Sequence, residues 1–171
     1  MNLIQKFRSN NFTFLNQKNN FICFLIIILI FFFDRISKIK IIENQLNNSS
    51  LYINNFINLD LVWNTGIGFG ILSTSTSIIY NIITSIIGGV IIFIIYLILQ
   101  SKFTDKALFS LIAGGALGNF YDRLAYFAVP DFIDVHYQNF HWFTFNIADI
   151  FISVGIISLI IKDLFFKNEK N

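Results

Sequence analysis

Two carboxylates stand where greasy sequence offers them no ordinary reason to be. Asp131 sits in Ala128-Val129-Pro130-Asp131-Phe132-Ile133-Asp134, and Asp149 in Phe145-Asn146-Ile147-Ala148-Asp149-Ile150, at the start of a long apolar run. A carboxylate at membrane depth costs roughly 2.5–3.5 kcal/mol on insertion scales, so it marks a functional site by default. If the two face each other, one pKa must rise, and the site then holds an acid and a base at neutral pH. Such a pair can activate a water against an amide. The plain alternative is an ordinary cap or loop carboxylate, since Asp149 near a helix start would suit the positive end of the helix dipole. Asp134, three residues after Asp131, competes for its role, and nothing in the sequence excludes it.

The elements that must position these acids are membrane spans. Of 171 residues, 55% are hydrophobic and 13% charged, with mean hydropathy +0.66. A soluble domain carries about 25% charged residues, so half that level with helix-length apolar runs indicates an integral membrane protein. The whole chain, 1–171, is expected to form a single domain. Net charge is +2, too little to point to a nucleic-acid partner. Cys23 is the only cysteine, which excludes an intrachain disulfide, and with two histidines it leaves no structural zinc set. Neither a metal nor another cofactor is expected.

Apolar periodicity and length place four spans at about 20–40, 77–100, 104–123 and 147–166, each able to cross a core of about 30 Å. The first follows Lys6, Arg8 and Lys18 like a signal peptide, but Asp34 and Arg35 follow it instead of a cleavage site, so it reads as an uncleaved anchor. Lys102 and Lys106 lie between spans two and three, and Lys162, Lys167 and Lys170 close the chain. Positive-inside bias then puts both termini in the cytoplasm. With that orientation Asp34, Lys38, Asn64, Asn119, Asp122, Arg123, Asp131, Asp134, Asn146 and Asp149 all gather at the outer face. A proton-relaying transporter would spread its acids across the membrane depth, and an inert scaffold would not need the cluster at all.

The outer connections, 41–76 and 124–146, look structured. Ile57, Leu59, Leu61 and Trp63 alternate with mostly polar neighbours, the period of a half-buried strand. His141-Trp142-Phe143-Thr144-Phe145 reads as a second strand that could pair with the first into a small platform. Gly114 and Gly118 stand one helical turn apart, a face that lets helices approach closely, and Gly88-Gly89 reads the same way. Asp34 and Lys38, at i and i+4, form an anchoring pair. Asp122 and Arg123 read as neutralising each other, and Asn119 could donate to a carboxylate. Asn64-Thr65-Gly66-Ile67-Gly68-Phe69-Gly70 lacks the strand-and-helix context of a nucleotide loop and suits a bare backbone that approaches a peptide. The Asn-X-Ser/Thr triplets at Asn11, Asn47 and Asn48 are chance matches in an Asn-rich chain.

Taken in order, Asp34-Arg35-Ile36-Ser37-Lys38, Asn64-Thr65-Gly66, Gly114 through Asn119 with Asp122-Arg123, Val129 through Phe132, and Phe145 through Asp149 resemble bacterial lipoprotein signal peptidase, the type II signal peptidase. The resemblance spans residues 21 to 165. It implies a membrane α-helical fold of four transmembrane helices with a small extracytoplasmic β platform. It further implies an aspartic endopeptidase that cuts prolipoproteins just before a diacylglyceryl-cysteine. Its catalytic pair maps onto Asp131 and Asp149, and its supporting residues onto Asp34, Lys38, Asn64, Gly66, Asn119, Asp122, Arg123 and Asn146. The implied setting is the bacterial inner membrane, with the enzyme acting as a monomer among membrane lipids on lipid-modified substrates. Pro130 departs from the pattern, standing where an apolar β-branched residue is usual. So does Thr144, in place of a proline-containing turn, and the loop there is a residue short.

Overall fold

The computed structural model describes residues 17–45, 51–66 and 77–166. The basic residues Lys6, Arg8, Lys167 and Lys170, the three Asn-X-Ser/Thr triplets and most of the glycine-rich stretch after Gly66 lie outside them. Four long helices run α1 (Gln17–Gln45), α2 (Ser77–Gln100), α3 (Phe103–Tyr126) and α4 (Ile147–Phe166). Four strands, β1 (Leu51–Asn54), β2 (Ile57–Asn64), β3 (Val129–Tyr137) and β4 (Phe140–Phe145), form one antiparallel sheet in that order. The first helix outruns its expected end by a turn, and the third is longer at its C-terminal end.

The molecule is polar inside and apolar outside. Asp34, Lys38, Asp122 and Asn146 are completely buried, while Leu29, Phe33, Ile78, Ile92 and Phe165 present more than half of their surface. An exterior of that kind suits lipid rather than water. The helix Ile78–Gln100 is long and apolar enough to cross a membrane. Each of the other three carries several ionisable residues within its length, Asp34, Arg35 and Lys38 on α1 among them.

α3 is the central helix and packs against the other three. Cys23, Ile94, Ile98, Ile112 and Ala113 form the apolar core between them. Small residues on α3 permit this closeness. A Cβ on Gly118 would stand 2.5 Å from Asp34 Oδ2, and one on Gly115 would stand 2.5 Å from the Ala148 carbonyl oxygen. In α2 a Cβ on Gly88 would stand 3.3 Å from the Phe120 ring while Gly89 has nothing within 4 Å, so the expectation of close packing holds at α3 and at Gly88 and fails at Gly89. Gly115→Ala must push α4 away, because a backbone oxygen cannot swing aside. Overpacking of this order costs about 1–3 kcal/mol, and a thermal-unfolding series in detergent should show Gly115→Ala well below Gly89→Ala.

The sheet corrects one expectation. The two anticipated strands do not pair with each other, because β3 lies between them and pairs with β2 on one side and β4 on the other. β3 was not anticipated. Its first four residues are buried on both faces, so the alternation that betrays a half-exposed strand is missing. Pro130 is accommodated in β3 opposite Trp63, upstream of the stretch that pairs with β4. There its missing N–H leaves no β4 ladder bond unmade. At the end of α3, Phe127 adopts a left-handed conformation (φ 56°) that turns the chain from helix into β3.

Candidate active site

Asp131 and Asp149 line one cavity of about 260 Å³, together with Asn64, Asn119 and Arg123. Asp131 comes from β3, and only 2% of it is exposed. Its Oδ2 accepts from Asn64 Nδ2 at 2.9 Å and its Oδ1 from Asn146 Nδ2 at 2.6 Å. Burial, and after it the charge of Asp149, push its pKa up to about 6 despite the two amide donors.

Asp149 comes from the first turn of α4. Its Oδ1 accepts from Asn119 Nδ2 at 2.8 Å, and its Oδ2 accepts from the Asn146 backbone N–H at 3.2 Å. The Asp149 N–H in turn donates to Asn146 Oδ1 at 3.1 Å. This is the reciprocal bonding of a capping box, which satisfies donors that a helix start would otherwise leave orphaned. Asn146 is also the single residue between β4 and α4. Its side chain therefore binds both acids: the oxygen holds the Asp149 backbone and the nitrogen holds Asp131.

Behind Asp149 lies a closed ionic network. Lys38 Nζ donates to Asp34 Oδ2 at 2.7 Å, Asn119 Oδ1 at 2.8 Å and Asp122 Oδ2 at 2.7 Å. Those three bonds use its whole donor capacity. Because Asn119 accepts from Lys38 through its oxygen, its amide nitrogen points at Asp149. Asp34 Oδ1 accepts from the Ala148 N–H at 3.0 Å, so α1 also holds the start of α4. Asp122 Oδ1 pairs with Arg35, whose other nitrogen donates to Tyr126.

Asp122 and Arg123 do not neutralise each other. Consecutive helical residues point in different directions, so Asp122 faces α1, while Arg123 faces α2 and the segment after β2. Arg123 donates to the Gly66 carbonyl and lies over the Tyr80 ring. The Gly66 N–H donates to Asn64 Oδ1 at 2.8 Å, which links the end of β2 to Asp131.

Asp134 is not brought to the cavity. On a strand, positions three apart point to opposite faces, and Asp134 Oδ2 lies instead 2.7 Å from His141 Nδ1 and 3.8 Å from His136 Nδ1. Asp134→Asn should leave turnover within about twofold of wild type and lower stability by about 1 kcal/mol, the scale of one hydrogen bond. Complete loss of activity would move the reacting acid to Asp134. Sequence reasoning passed over this Asp–His pairing, and also Arg35 and Ser153. The Asp–His contact needs β3 and β4 in register, for which there was no signal. Ser153 was findable, one helical turn after Asp149.

The described residues hold no group of three His, Cys, Asp or Glu side chains arranged as a metal site. What the geometry offers is a polar-floored cavity with two hydrogen-bonded carboxyls, able to exchange protons with a water and an amide.

The family described as signal peptidase (SPase) II matches residues 26–165. A lipoprotein signal peptidase of Pelagibacter ubique (strain HTCC1062) is 50% identical over 158 residues, 91% of this chain and 95% of its own. A lipoprotein signal peptidase of Francisella tularensis subsp. mediasiatica (strain FSC147) is 44% identical over 126 residues, covering 70% and 77%. Among solved structures, one described as a bacterial membrane enzyme determined by the in meso method at 2.3 Å superposes with TM-score 0.70 at 33% identity. That match covers 87% of this chain and 93% of the other.

Proposed function

The chain belongs to the signal peptidase II family, and on that premise we propose that it removes signal peptides from prolipoproteins, cutting just before a diacylglyceryl-cysteine, with Asp131 and Asp149 as the reacting pair. The protein is a bacterial membrane peptidase. All 171 residues form one domain, its four helices cross the inner membrane, both termini are cytoplasmic, and the cavity opens near the outer face. It works as a monomer. The single observation that carries this reading is the cavity in which both acids sit, each oriented by asparagines.

The two acids have different surroundings, and the roles follow from them. Asp149 stands in the first turn of a helix, takes a backbone N–H, and has Lys38 behind Asn119. It is the ionised partner, and it takes a proton from the attacking water. Asp131 is buried without a cation donating to it, and it is the protonated partner. It protonates the carbonyl oxygen as the water oxygen bonds to carbon. The tetrahedral centre then collapses: the C–N bond breaks, the amine leaves with the proton that Asp149 took up, and Asp131 recovers its own. Asn64 and Asn119 hold the carboxyls in place, and the pair titrates as a unit.

Purified protein in bilayers should cleave a diacylglyceryl-modified proprotein and leave the unmodified precursor intact. Activity needs the proton on Asp131, so kcat/KM should fall as pH rises through about 6. Failure to cleave any lipid-modified proprotein would end this reading, and a rate flat from pH 5 to pH 8, a range set about that value, would end the assignment of roles.

A further inference from the structure

A second cavity, of about 250 Å³, lies along α4. Phe143 and Phe145 of β4 form one end, and Ile150, Val154 and Ile157 continue it down the helix. Those three stand at i, i+4 and i+7, a single helix face, and the stretch from Asp149 to Ile157 rises about 12 Å. Asp149 and Ser153 line this groove and also the cavity that holds Asp131. The two spaces therefore meet at one turn of α4, where Ser153 presents a small side chain.

We infer that this groove seats one acyl chain of the lipidated cysteine, and that Ser153 marks the gap through which the chain leaves the two acids. The inference rests on the peptidase reading above. The lipidated residue is the one directly after the cleaved bond, so its chains begin beside the dyad and must leave the cavity by some route. Asn64, Asn119, Arg123 and the two acids put the polar groups of the site into that cavity. Past Ser153 the lining is aliphatic and aromatic, and it opens outward, with Val154 47% and Ile157 54% exposed. A chain moving from bilayer to groove gains little from burial alone. The groove therefore selects by length and position, and its effect falls on KM.

Val154 lines the groove and not the dyad cavity. Val154→Trp, which fills the groove, should raise KM for a dipalmitoyl-modified proprotein roughly tenfold, the scale of hydrophobic-pocket discrimination. Its kcat should stay near wild type, and a dibutyryl-modified proprotein, whose chains stop short of Val154, should be cleaved as before. An equal effect on both substrates, or on neither, overturns the inference. A second measurement does not depend on tryptophan being tolerated. Cys23 is buried and is the only native cysteine, so Val154→Cys in an Asp131→Asn background offers one reactive thiol to an apolar maleimide. Bound dipalmitoyl substrate should slow that labelling several-fold, and unchanged labelling would mean that ordinary membrane lipid fills the groove. If wild-type protein cleaves lipidated proproteins yet Val154→Trp ignores chain length, only the groove assignment falls. If wild type cleaves none, the peptidase reading falls first.

Discussion

Asp131→Asn and Asp149→Asn should each lower cleavage of a lipidated proprotein about a thousandfold or more, with the amount of protein in the membrane unchanged. The two variants should differ in stability, and the sign follows from linkage. Asp131 in the folded protein titrates near 6, above its ordinary 3.8. Between pH 4 and pH 6 the unfolded chain has released this proton while the folded one keeps it, so stability falls as pH rises. Above pH 6 the accumulated loss is roughly 3 kcal/mol, as an order of magnitude. An amide at this position carries no charge to desolvate, though it forfeits one of two accepted hydrogen bonds, worth about 1 kcal/mol. Asp131→Asn should therefore unfold at a higher temperature than wild type at pH 7.5 and lose that advantage at pH 4, two conditions chosen on either side of the titration. Turnover above a few per cent in either variant, by single-turnover assay, would remove the dyad.

Lys38→Met should have the largest effect on stability. It leaves Asp122 with Arg35 alone and takes from Asp34 the cation it pairs with, both carboxylates being fully buried. Breaking a buried ion pair from one side costs about 3–5 kcal/mol, a large fraction of the stability of a domain. Asn119 also loses the bond that fixes which way its amide points. The double variant Asp34→Asn/Lys38→Met removes one orphaned charge and should recover part of the loss in thermal unfolding. Were Lys38→Met as stable as wild type, the network would be ornamental, and Asp149 would have to be oriented by Asn146 alone.

Much of this site could be read from the chain because polar residues in apolar sequence are conspicuous. Asp34, Lys38, Asn119, Asp131, Asn146 and Asp149 each stand out against leucine, isoleucine and phenylalanine, and the structure brings all six into one connected set of hydrogen bonds. The ends of α2 and α4 were also legible, since apolar runs bounded by polar residues mark a helix well. What escaped was relational. Asp122 stands next to Arg123 in sequence, yet pairs with Arg35 and Lys38 on another helix. No local pattern reports that. β3 escaped for a related reason, because burial on both faces erases the alternation by which a strand is recognised. The separation of Asp131 from Asp134 followed only once that strand was known, for a strand alternates its faces where a helix would have kept the two together.

The capping side chain between β4 and α4 has a mechanical consequence. Asn146 fastens the sheet's Asp131 and the helix's Asp149 through the two ends of one amide. A substrate that pried the hairpin off the bundle would have to tear that amide from one acid or the other. The spacing of the two acids is thus set by how the sheet is seated on α4, and a shift of either element strains the same clip.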